Sequence, residues 1–118
     1  MEKDDLALLP GDVRARARID PNGEVSWPIS EASHAISCLA DAGFVILGLD
    51  VRWYDDQGHI HENAWSALSN ADYDQGLASG KAALIELGRD QALQALARER
   101  IWEFGNWILV TWQEPKPR

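Results

Sequence analysis

Apolar positions change period several times along the chain, and each change marks an expected element. In "VRARARI", Val13, Ala15, Ala17 and Ile19 alternate with Arg14, Arg16 and Arg18. Period two predicts a strand, and the "DPNG" that follows predicts a turn leading into "EVSW". In "PISEASHAISCLADAG" the spacing becomes helical: Ala32, Ile36, Leu39 and Ala40 share one face. Ser30 is the expected N-cap, and Gly43 the left-handed stop. "FVILGLDVRWY" is an almost unbroken apolar run of β-forming residues, then alternates. Leu47, Leu49, Val51 and Trp53 are expected inward, and Gly48, Asp50, Arg52 and Tyr54 outward.

"DDQG", Asp55 to Gly58, suits a type I turn with glycine in the left-handed position, so a hairpin is expected with a return strand from His59 toward Trp65. With Asp55 opposite His59, Arg52 falls opposite Glu62 and Trp53 opposite His61. A helix capped by Ser69 or Asn70 should run through Tyr73, Leu77, Leu84 and Leu87 to Gly88. Asp90 should start another, with Leu93, Leu96, Ala97 and Ile101 on one face. "NWILVTWQ" closes as a strand. The expected fold is α+β: one small domain over residues 1–118, an antiparallel or mixed sheet with a central hairpin, packed on two or three helices. Residues 1–12 and 114–118 are expected to fray.

The 118 residues suffice for one core, and 46% of them are apolar, including six tryptophans. The single cysteine, Cys38, excludes an internal disulfide framework. No apolar run approaches the ~20 residues that span a bilayer, and the acidic start "MEKDDLALLPGD" lacks a signal-peptide layout. A cytoplasmic protein without membrane contact is expected.

The net charge is −8, unevenly spread. Asp20, Glu24, Glu31, Asp41, Asp50, Asp55, Asp56, Glu62, Asp72 and Asp74 share their span with one base, Arg52. Such a field repels nucleic acid and draws in a basic partner. The arginines at 14, 16 and 18 are expected to pair with the protein's own acids rather than with phosphates.

Two constellations could carry metal chemistry. His59 and His61 would project from one strand face about 7 Å apart, with Asp55 as the nearest third ligand. His34, Cys38 and Asp41 would share one helix face. Both lack the remaining ligands, so neither a metal nor a cofactor is expected. Gly76 and Gly80, four apart, are expected to let their helix pack closely on the sheet. No phosphate-binding loop and no nucleophile elbow occurs in the sequence, so no catalytic site is assembled. Trp53 and Trp65 flank the acidic hairpin, where a half-exposed tryptophan would anchor an interface.

"WPISEASHAISCLADAGFVILGLDVRWYDDQGHIHENAW", residues 27–65, resembles the bacterial polymorphic-toxin immunity proteins of the immunity protein 40 type. The likeness lies in a Trp before a helix, "A-I" within it, then a strand matching I-L-G-G-D-V, an acidic turn with glycine, and a following Trp. Here the strand reads Ile46, Leu47, Gly48, Leu49, Asp50, Val51, with Leu49 in place of the second glycine. The resemblance implies a non-enzymatic cytoplasmic protein, a monomer or weak dimer, that binds the C-terminal domain of a cognate toxin. The contact residues expected are Asp50, Trp53, Asp55, Asp56, Glu62, Trp65, Asp72 and Asp74. The alternative is a small metal-dependent hydrolase or metal-binding module on His59 and His61.

Overall fold

The computed structural model describes residues 5–98 and 107–118, with the side chains of Ala64 and Trp65 left out. Among the described residues four helices pack on a five-stranded antiparallel sheet, an α+β fold. The strands are β1 (Arg18–Ile19), β2 (Val25–Pro28), β3 (Val45–Tyr54), β4 (Ile60–Ala67) and β5 (Trp107–Gln113). Their order across the sheet is β1-β2-β5-β3-β4. The helices are α1 (Gly11–Arg16), α2 (Ala32–Asp41), α3 (Asn70–Ala78) and α4 (Lys81–Arg98).

The Asp20–Gly23 turn joins β1 to β2, with Gly23 at φ 90°. The segment before it departs from its alternating pattern. Gly11–Arg16 is helical, and only Arg18 and Ile19 are extended. Small alanines and unbranched arginines favour a helix, and tertiary contact selects it here. Val13 is buried, and its carbonyl accepts the indole N–H of the fully buried Trp27 at 2.9 Å.

The segment ahead of α1 is also tied down from Asp5 onward. Leu6 and Leu9 enter the core, and Asp5 accepts the Trp112 indole N–H at 3.0 Å. Trp27 and Trp112 lie 6.0 Å apart beneath it. At the other end, Tyr73 on α3 donates to the carbonyl of Lys116 and accepts its N–H, while Arg118 pairs with Asp74.

α2 buries Ala32, Ala35, Ile36, Leu39 and Ala40 against the sheet, the face expected, and Gly43 stops it at φ 98°. Its start differs from expectation. A 3-10 turn over Ile29–Glu31 comes first, so Glu31 is the N-cap and Ser30 makes no cap hydrogen bond.

The helical hairpin α3–α4 departs from the expected break. Ser69 caps α3 by accepting the Asp72 N–H, but the chain turns at Gly80, at φ 118°, rather than at Gly88. Gly88 lies inside α4, where a Cβ would meet the Ile46 carbonyl oxygen at 2.8 Å. Its missing side chain serves helix-on-strand approach and not termination. Asp90 likewise starts nothing. Leu93 and Leu96 pack on the core and Ala97 is exposed, whereas Ile101 is outside the described residues. Gly76 packs on Leu84 of the neighbouring helix rather than on the sheet.

Because α4 crosses β3 at Ile46, the two clusters of the core meet there. Ile46 belongs to the larger cluster with Trp27, Ile36, Leu49, Ile108 and Ala92. Val45, pointing the other way by strand alternation, forms the smaller one with Tyr73 and Leu84.

Candidate functional site

The β3–β4 hairpin turns as its residues dictate. Gly58 donates to the Asp55 carbonyl and lies at φ 80°, while the Asp55 N–H donates to the His59 carbonyl. The Asp55 carboxylate accepts the backbone N–H groups of Gln57 and His59, each at 2.9 Å. From that closure the register runs Tyr54 opposite Ile60, Trp53 opposite His61 and Arg52 opposite Glu62. It steps between Leu49 and Asp50, so that Trp65 faces no partner.

On one face of this hairpin Arg52 is expected outward, yet it is buried, 2% exposed. Its guanidinium contacts Asp20 directly and meets Glu24 at 3.3 Å and Glu62 at 3.2 Å. The planar fork divides the work between its two ends, Nη1 meeting Asp20 and Nη2 lying between Glu24 and Glu62, whereas an ammonium has a single nitrogen to place. Asp20 and Glu24 come from the β1–β2 turn, so the cluster joins two hairpins that lie far apart in sequence. Burial works against the charged arginine, but the hydrogen bond it donates to Asp20 and the charge of Glu62 outweigh it and raise its pKa.

The Arg52 Nε and the Ser26 hydroxyl are buried and find no hydrogen-bond partner among the described residues. Asp50, two residues along β3, has its pKa raised, first by burial and then by the charges of Glu62 and Glu24. The Arg18 guanidinium lies 4.4 Å from the Tyr54 ring centroid and 5.7 Å from that of Trp107, within 3.8 Å of Asp20. The result is a row of Asp20, Glu24, Asp50 and Glu62 around Arg52, with Arg18 above its aromatic rim.

The opposite face holds Trp53, half-buried on the core edge and stacked on His61 at 5.4 Å with 12° between the planes. At the hairpin end Asp55 lies between two imidazoles, 3.4 Å from His59 Nδ1 and 3.0 Å from His61 Nε2. The hydrogen bond from His61, followed by the His59 amide, lowers the Asp55 pKa. Asp56 is exposed beside it.

The structure thus brings Asp50, Trp53, Asp55, Asp56 and Glu62 onto one hairpin, divided between its two faces and its tip. Asp72 and Asp74 lie elsewhere, on α3. Asp72 accepts from Gln91 at 3.2 Å and Asp74 is engaged by Arg118 at 2.6 Å. Trp65 belongs to β4, and its side chain is outside the described residues. Asp20, Glu24 and Arg18 are the cluster members that sequence reasoning left out of the site. The one local signal for them is the acid, turn, acid order of "DPNGE".

The helix constellation is looser. Cys38 Sγ lies 3.9 Å from His34 Nε2, and burial, then Asp41 and Asp12, raise the thiol pKa, which holds Cys38 in its weakly ligating form. Among the described residues no group of three or more His, Cys, Asp or Glu side chains is arranged to hold a metal ion. Among the same residues no helix is long and apolar enough to cross a membrane.

Fold and site together define a small α+β domain in which the β1–β2 turn and the β3–β4 hairpin, the latter at one edge of the sheet, share a carboxylate row organised by one buried arginine. No family model, curated protein or solved structure matches the chain.

Proposed function

We propose that this chain is an immunity protein, acting in the cytoplasm by binding the C-terminal domain of a cognate bacterial toxin one to one and blocking it. The reading gives it no chemistry of its own and takes the toxin domain to be basic, as a nuclease would be. The observation that supports it is the gathering of Asp20, Glu24, Asp50 and Glu62 on one sheet face, with Asp55 and Asp56 at the hairpin tip. Within that row the bases are Arg52, buried and engaged, and Arg18. An excess of carboxylates at a surface raises the association rate of a basic partner, and Trp53, on the opposite face next to the His61–Asp55 end of the hairpin, supplies an aromatic anchor. The resemblance of residues 27–65 to immunity proteins points the same way.

The test is calorimetric titration with the C-terminal domain of the large protein encoded beside this gene. Tight one-to-one binding that weakens with salt is expected. Absence of heat at micromolar concentration would overturn the proposal.

A second reading, a metal-binding module on His59 and His61, has one observation in its favour: the Asp55 carboxylate lies between the two imidazoles. Metal analysis of protein purified without a histidine tag tests it. Stoichiometric zinc or manganese would replace the first reading with the second.

A further inference from the structure

The sheet ends differently at its two edges. β1 is two residues long, and a short edge strand offers little to pair with. β4, at the other edge, spans eight residues and contains neither proline nor lysine, the usual guards of an exposed edge. Ile60, His61, Glu62 and Asn63 are all exposed, Ile60 by 51%. Among the described residues no strand pairs with the outer side of β4.

Its free hydrogen-bonding groups follow from the turn. Asp55 and His59 form a hydrogen-bonded pair through the Asp55 N–H. Antiparallel alternation then makes Trp53–His61 and Val51–Asn63 the next hydrogen-bonded pairs in this register. The backbone N–H and C=O of Ile60 and Glu62 therefore point away from β3. The register step at Trp65 ends this regular stretch.

We propose that the outer edge of β4, over Ile60–Asn63, is where an extended segment of the partner adds to the sheet as a sixth strand. That segment carries Lys or Arg at alternate positions. Charge selects the occupant. A residue directly beside Glu62 on an added strand lies about 4.5–5.5 Å from it, Cβ to Cβ. Glu62 itself adjoins Asp50 and the carboxylates held by Arg52. A base there is attracted and an acid repelled. On the other face the added strand meets the flat His61–Trp53 stack, on which an arginine or an aromatic side chain can lie. A second copy of this chain is disfavoured, because it would bring another −8 and its own Glu62 against the same row. Main-chain hydrogen bonds supply affinity in such strand addition, and alternate side chains supply specificity.

The inference rests on the immunity reading for the source of the partner, and one experiment separates the two. Amide hydrogen exchange is followed by NMR on the full chain, free and saturated with the toxin C-terminal domain, with binding confirmed by calorimetry. The Ile60 and Glu62 amides should exchange fast in the free protein and at least ten times more slowly in the complex, while His61 and Asn63 are protected in both. Ile60→Pro, which deletes one outward N–H without changing charge, should weaken binding tenfold or more. If that variant fails to fold, the exchange pattern of the natural chain decides. A complex that leaves the Ile60 and Glu62 amides fast overturns the edge and leaves the function standing. No complex overturns both.

Discussion

Arg52 on β3 and Asp20 in the β1–β2 turn are in direct contact across 32 residues of sequence, and this contact ties the first hairpin to the second. Asp20 is only 14% exposed, so neither partner can fall back on water if the other is removed. Arg52→Met should destabilise the fold by about 2–4 kcal/mol, because it strands carboxylates whose neutralising charge is gone. Arg52→Lys should recover part of that loss, since it keeps the charge but has one nitrogen where the guanidinium uses Nη1 and Nη2. Urea midpoints of the two variants check the order. Equal stability of Arg52→Met and the natural chain would mean the cluster holds nothing together.

Asp50 should be a net liability at neutral pH. Its pKa is raised by burial, Glu62 and Glu24, so its contribution is favourable below the ordinary carboxylate range and is lost as pH rises through the raised value. Asp50→Asn should therefore stabilise the protein at pH 7 by ~0.5 kcal/mol, a figure kept small because the group is partly solvated. The gain should vanish below about pH 4, where both side chains are neutral. Asp55 behaves oppositely. Its lowered pKa means stability present above the carboxylate range and lost as pH falls through the lowered value, so Asp55→Asn should lower the melting temperature at pH 7 and by progressively less as the pH falls below the carboxylate range. Melting curves across that window check both signs.

Gly88→Ala should destabilise despite improving helix propensity. Propensity favours alanine by ~1 kcal/mol, but the new Cβ would press on the Ile46 carbonyl and nitrogen, which are backbone and cannot rotate away. Overpacking costs about 1–3 kcal/mol, so a net loss is expected. A more stable variant would show that α4 does not approach β3 this closely.

Charge reversal should divide the acids by position. Reversing Asp55, Asp56 and Glu62 together should slow association with a basic toxin domain tenfold or more, mainly in the on-rate and most at low salt. Asp74→Asn should change association little, since Arg118 already neutralises that carboxylate. Stopped-flow association rates separate the two sets.

Tyr73→Phe should cost about 1 kcal/mol and loosen the C-terminal segment. The hydroxyl donates to the Lys116 carbonyl at 2.6 Å and accepts from the Lys116 and Gln113 N–H groups. Limited proteolysis near Lys116 should become faster in the variant.

The features legible in the sequence are those set by neighbours a few residues apart. Asp55 and Gly58 define a turn whose closure dictates Arg52 opposite Glu62, because the side-chain period of a strand leaves one register once the loop is chosen. The apolar face of α2 and its stop at Gly43 follow in the same way from helical spacing and from glycine's freedom at φ 98°. What the tertiary structure decided lies where distant segments meet. Val13–Arg16 suits strand or helix equally in isolation, and the Trp27 indole on the Val13 carbonyl settles it. Gly80 and Gly88 look alike in a helical pattern, and only the position of Ile46 makes one a turn and the other a point of contact. Arg52 reads as an outward residue of an alternating strand. Its burial depends on Asp20 and Glu24 arriving from the β1–β2 turn two strands away, and a local pattern cannot carry that contact.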